Sequence, residues 1–227
     1  MIKKIARKII YSVPSSAILI FHHITDNPSV CKSGCKLPYD KFTGMLEYFD
    51  NYAALTEVVK KPSERCIAVT FDDGLYDVYE TAYPFLKERN IPFTVFIATD
   101  FLDTDGYITT ENLKELAADG LVTIGSHGVT HKNLNSLSAD EQKSELAESK
   151  RIIEDIIGKP VNTFAFSHGQ YNKDTIKQMN NYDYGFSTRQ LPLNFITGIN
   201  RKVLPRFNVD SNSFDNVKAE LLKIFKG

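Results

Sequence analysis

Short apolar runs rich in β-branched and aromatic residues recur along this chain and alternate with segments of helical periodicity. The runs are Ala17 to Phe21, Cys66 to Phe71, Phe93 to Ala98, Val122 to Gly125 and Thr163 to Phe166, with weaker ones at Tyr184 to Ser187 and Val203 to Val209. An uninterrupted apolar run of this length reads as a strand covered on both faces. Between the runs, helical spacing recurs at Phe42, Leu46 and Phe49, at Val78, Ala82 and Leu86, and at Leu113, Leu116 and Ala117 ahead of Gly120. The longest helical pattern begins with Ser138 and Glu141 in capping-box register and passes through Leu146, Ile153 and Ile157 to Gly158 and Pro160. A final helix spans Phe214 to Phe225. Strands alternating with helices imply parallel pairing through crossovers, which either an open doubly wound sheet or a barrel satisfies. In both, chemistry collects just beyond the C-terminal ends of the strands.

Length and charge narrow the functional classes. A chain of 227 residues with 42% apolar content supports one sizeable core and is short for two, so a single domain over residues 1–227 is expected. Basic and acidic residues number 27 and 28, for a net charge of -1, which excludes a strong pull toward nucleic acid. Cys31, Cys35 and Cys66 are too few and odd in number for a disulfide framework, and the expectation is free thiols in a reducing, cytoplasmic setting. Lys3, Lys4, Arg7 and Lys8 precede an apolar stretch, but Pro14, Ser15 and Ser16 interrupt it and no small-x-small cleavage site follows, so a signal peptide is not expected. No stretch approaches the ~18 apolar residues of a membrane span. The Ile2, Ile5 and Ile9 spacing permits a basic amphipathic helix over residues 2–11, a candidate for peripheral membrane contact.

Three strand ends carry chemistry. Asp72 and Asp73 follow the second run and precede Gly74, which permits a tight turn. Adjacent side chains on a strand diverge, so both carboxylates reach one pocket only if the strand stops there; the competing reading is a solvated turn with an aspartate cap. His127 and His131, two of the five histidines, follow the fourth run. On one helical turn, a four-residue separation would put both rings on one face within reach of one ion. Gly128 stands where a zincin motif has its glutamate, so a base must come from elsewhere. Two imidazoles, a carboxylate and open positions make the ligand set of a catalytic metal site. The third end, Phe166-Ser167-His168-Gly169, is a strand entering a glycine turn whose backbone N–H groups can face an oxyanion.

In this order the three segments resemble the polysaccharide deacetylase (NodB-homology) family of metal-dependent de-N-acetylases, from roughly Phe21 to Arg206. The resemblance implies a distorted (β/α)7 barrel, with Asp72 as general base, Asp73, His127 and His131 as metal ligands, and the His168 N–H facing the oxyanion. Phe21-His22-His23-Ile24 also resembles the strand opening of bacterial members, where a histidine faces the pocket. Departures are equally clear. Ala165, Ser167 and His168 stand where the family has arginine, proline and tyrosine, no tryptophan exists for its tryptophan motif, and the late Leu-x-x-His is replaced by Leu204-Pro205-Arg206-Phe207-Asn208-Val209. Arg206 is therefore the candidate to replace the lost arginine that orients the base. His22 is the candidate general acid, with His168 as rival.

The expected activity is hydrolysis of an N-acetyl group on a sugar or glycan-assembly intermediate. Zinc is the first choice of ion, with cobalt, nickel or iron also suited to this ligand set. An O-deacetylase shares the same residues. A ferrous oxygenase shares the triad but not the α/β alternation, and a non-catalytic glycan-binding module would have no use for Asp72.

Overall fold

The computed structural model describes residues 13–27, 29–30, 35–193 and 200–225. Its strands are β1 (Ala17–Phe21), β2 (His23–Ile24), β3 (Lys36–Leu37), β4 (Ile67–Phe71), β5 (Phe93–Ile97), β6 (Val122–Ser126), β7 (Thr163–Ala165), β8 (Tyr184–Phe186) and β9 (Phe207–Asn208). The helices are α1 (Tyr39–Tyr48), α2 (Leu55–Lys60), α3 (Tyr83–Glu88, entered through a π-helical turn at Val78–Ala82), α4 (Thr110–Ala118), α5 (Ala139–Ile157), α6 (Lys173–Gln178) and α7 (Phe214–Phe225). The capping box at Ser138 and Glu141 forms, and Gly158 ends α5 at φ +66°.

Seven strands make one parallel sheet in the order β8-β7-β6-β5-β4-β1-β9. Leu204 bridges Phe186 of β8, and three residues later Phe207 pairs with Leu19 of β1. One short segment thus touches both ends of the strand series, which curls the sheet into a distorted (β/α) barrel rather than leaving it open. The segment is less regular than the Val203 to Val209 run suggests. Pro205 has no N–H for a ladder, and the Arg206 N–H turns to the Arg189 carbonyl instead (3.1 Å).

Strand parity divides the core. Leu19, Val69, Phe71, Val95, Ile124, Phe164 and Phe207 point outward and pack against apolar faces such as Phe42 and Met45 of α1 and Leu146 and Ile153 of α5. Ile18, Ala68, Phe96, Ala165, Phe186 and Leu204 form a separate inner cluster. Asp72, His127 and Arg206 carry the inner parity of Ala68, Gly125 and Leu204, so the pattern that fills the barrel also delivers three polar groups to its C-terminal mouth.

Of the cysteines, Cys66 is free and buried as expected, whereas Cys35 is disulfide-bonded, which corrects the free-thiol expectation there. Cys31 and the amphipathic pattern of residues 2–11 lie outside the described residues. Among the described residues no helix is long and apolar enough to cross a membrane.

Inner packing is tight at Gly125, where a Cβ would lie 2.5 Å from the Phe96 ring and 2.7 Å from Thr163 Oγ1. Phe96 in turn sits beneath the Arg206 guanidinium, 5.2 Å from its ring centre. Gly125→Ala is expected to destabilise the protein by about 1–3 kcal/mol through overpacking, measured as a lower urea midpoint at unchanged slope.

Candidate active site

The two aspartates reach one pocket because the strand ends between them. Asp72 keeps the inner parity, its N–H donating to the Phe21 carbonyl (3.0 Å). Asp73 and Gly74 then both adopt φ +75°, which breaks the alternation. Both carboxylates consequently approach the same imidazole. His127 Nε2 is 3.3 Å from Asp73 Oδ1 and 4.0 Å from Asp72 Oδ2. His131 Nε2 lies 3.0 Å from the same Asp73 Oδ1.

The histidine segment is an irregular loop and not the helical turn expected from its spacing. Gly128 sits at φ +88° and His131 at φ +58°, values outside the right-handed helical region. The rings still meet, with centroids 4.9 Å apart, because neighbouring strand ends hold the loop: Thr99 N–H donates to Gly128 O (3.1 Å) and Asp100 N–H to Val129 O (2.9 Å).

The donor set fits a divalent cation on its own geometry. His127 Nδ1 is 2.8 Å from the Ala165 carbonyl, which can only accept, so Nδ1 carries a hydrogen and Nε2 is the ring atom turned to the carboxylates. That nitrogen and His131 Nε2 both face the buried Asp73 Oδ1. One ligand atom each from Asp73, His127 and His131 lies within 4.8 Å of the others. Two nitrogens and a carboxylate brought together in this way are a donor set suited to zinc and its neighbours. Burial raises the Asp73 pKa, but the flanking imidazoles outweigh it and hold the carboxyl well below its ordinary range. For His127, burial lowers the pKa and the Asp72 and Asp73 carboxylates more than reverse it.

Asp72 is held differently. Arg206, fully buried, grips it with both fork nitrogens, Nη1 to Oδ1 and Nη2 to Oδ2, each at 2.7 Å. Nη1 also donates to Thr70 Oγ1 (3.1 Å) and Nε to the Ser187 carbonyl (3.3 Å). Burial pushes the Asp72 pKa up, and the charges of Arg206, His127 and His22 more than reverse this, so the carboxyl lies below the usual range.

His22 follows β1 close enough for its charge to act on both aspartates, and its buried Nδ1 has no hydrogen-bond partner among the described residues. His168 adopts φ +57° and places its ring 4.6 Å from that of His131. Burial, with the adjacent His131 and His127, lowers its pKa. The structure thus brings together all seven residues singled out in the sequence. Ser167, named only as part of the third strand end, donates to the His127 carbonyl (2.9 Å); two others gave no motif signal, Asp77, which pairs with His23 Nδ1 (2.7 Å), and Glu145, which reaches the histidine loop from α5.

Comparison with known proteins agrees with this fold. The chain belongs to the polysaccharide deacetylase family, whose pattern it matches over residues 59–187. It is similar to YxkH of Bacillus subtilis, a protein named for this family, at 32% identity over 183 residues, or 75% of this chain and 63% of that one. It is also similar to the poly-β-1,6-N-acetyl-D-glucosamine N-deacetylase of Staphylococcus aureus, at 27% identity over 68% of this chain and 58% of that one. The matched part therefore spans about three fifths of each relative's length. In fold it resembles Streptococcus pyogenes deacetylase PplD in complex with acetate (TM-score 0.78, 22% identity, covering 91% of this chain and 97% of that one). IcaB from Ammonifex degensii is comparable (TM-score 0.77, 21% identity, 92% and 97% covered).

Removing the guanidinium would strand a buried charge. Arg206→Met is expected to destabilise the protein by about 3–5 kcal/mol at neutral pH, and adding Asp72→Asn should recover part of that loss. The deficit should shrink at about pH 4. The wild-type Asp72, with its lowered pKa, contributes stability that is lost as pH falls; in the variant, burial raises the pKa and favours the protonated form. Urea titrations of the three proteins at both pH values check the sign.

Proposed function

We propose that this chain is a metal-dependent deacetylase that hydrolyses the N-acetyl group of a sugar within a glycan or glycan-assembly intermediate. The observation that carries the reading is the division of labour between neighbouring carboxylates. Asp73 faces His127 and His131, while Asp72 is turned onto Arg206 and kept ionised beside them. Asp73, His127 and His131 would hold the ion, with zinc the first choice and cobalt, nickel or iron suited to the same donors. A divalent cation bound there supplies Lewis acidity to the amide carbonyl and acidifies water.

Asp72 takes the proton from the attacking water, and Arg206 fixes the orientation of its carboxylate. The His168 N–H, at the left-handed turn after β7, faces the oxyanion. His22, at the end of β1 with a buried Nδ1 that has no hydrogen-bond partner among the described residues, donates a proton to the departing amine, with His168 the rival for that role. The N-acetylated substrate is supported by family membership and by the activity for which the staphylococcal relative is named. We read residues 1–227 as one catalytic unit. A disulfide at Cys35 suits an oxidising compartment, so the cytoplasmic setting expected from the cysteine count is not part of the proposal.

Three measurements test the reading. The purified protein should carry about one divalent ion, and Asp73→Ala or His127→Ala should lose it. Asp72→Asn should retain the ion while turnover falls ~100-fold or more. Mass spectrometry on a panel of N-acetylated sugars and oligosaccharides should find loss of one acetyl group from at least one; unchanged metal content in both ligand variants contradicts the proposal.

A further inference from the structure

Helix α5 buries a charged residue that the chemistry described so far does not use. Glu145 is 7% exposed and forms no ion pair among the described residues. An isolated buried carboxylate is costly unless hydrogen bonds replace its water. Its side-chain partners all lie in one place: Val129 N–H donates to Oε2 (2.7 Å), Thr130 N–H to Oε2 (3.1 Å) and Thr130 Oγ1 to Oε1 (2.6 Å). Both partner residues fall between His127 and His131. The carboxylate also approaches the loop where it has no side chain, since a Cβ on Gly128 would lie 2.8 Å from Oε2.

We propose that Glu145 is a positioning residue for the metal site: its carboxylate gathers the N–H groups of the loop and so aims His131 Nε2 at Asp73. The inference rests on the metal-site reading above. The loop needs such a clamp because it holds Gly128 and His131 at positive φ, and a non-glycine residue there is strained unless its surroundings fix it. Ser167 and Ala165 fix His127 from the barrel side, at its carbonyl and Nδ1 respectively. Glu145 performs the matching task for the far half of the loop, which carries His131. A residue that only stabilised α5 would not need every side-chain contact to fall inside the ligand segment.

The test is zinc affinity, measured on folded protein by competition with a chromogenic chelator, alongside the visible spectrum of the cobalt-loaded protein. Glu145→Ala should weaken zinc binding by about 10–100-fold, the range for loss of a partner that orients a ligand, and alter the cobalt spectrum. Glu145→Gln keeps one acceptor and should fall between it and wild type, which also preserves the test if the alanine variant fails to fold. Tyr182→Phe, which removes a 2.8 Å hydrogen bond to the Leu146 carbonyl of the same helix, should lower thermal stability and leave zinc affinity unchanged. Wild-type zinc affinity in the Glu145 variants overturns this inference alone. A wild-type protein that binds no zinc overturns it together with the metal-site reading.

Discussion

A carboxylate sealed at the mouth of a parallel barrel stays ionised only if a fixed cation answers it, and here the paired Arg206 guanidinium does so across the interior. Much else follows from that contact. Arg206 comes from the segment that joins β8 to β1, so closure of the barrel and orientation of Asp72 are one event. The guanidinium lies over Phe96, and Phe96 fits only because residue 125 has no side chain. With Asp72 occupied by Arg206, Asp73 is left to face the imidazoles. Two adjacent, chemically identical carboxylates thus acquire different roles through their partners and through one left-handed residue.

The family's arginine position is occupied by Ala165, but the segment around it is not idle. The Ala165 carbonyl sets the tautomer of His127, and Ser167 holds the same residue by its backbone. In the proposed mechanism Asp72 is oriented from another strand, while the segment around Ala165 supports His127. A guanidinium is needed only at a point in space, which more than one strand end can reach.

The strands were legible because both faces are covered, which leaves uninterrupted apolar runs, and the caps of α5 because their pattern is local. Which sheet the strands would form was not, since closure depends on Leu204 bonding to Phe186 and no periodicity encodes that. The convergence of Asp73, His127 and His131 follows from strand ends, but the spacing of four misled about conformation: Gly128 and His131 form a left-handed loop where a helical turn was expected. The partnership of Asp72 with Arg206, 134 residues apart, came from family resemblance and not from spacing. Glu145 was invisible for a simpler reason. A glutamate amid a polar helical pattern looks solvated until the loop it serves is folded against it.

The central claim is that one ion sits between Asp73, His127 and His131 while Asp72 stays on Arg206. Anomalous diffraction at the zinc edge, from crystals grown with zinc, tests it directly. The account predicts a single peak about 2.0–2.2 Å from Nε2 of both histidines and an Asp73 oxygen, with the bidentate Asp72–Arg206 contact intact. A peak coordinated by Asp72 with Arg206 released, or no peak among these residues, would contradict it.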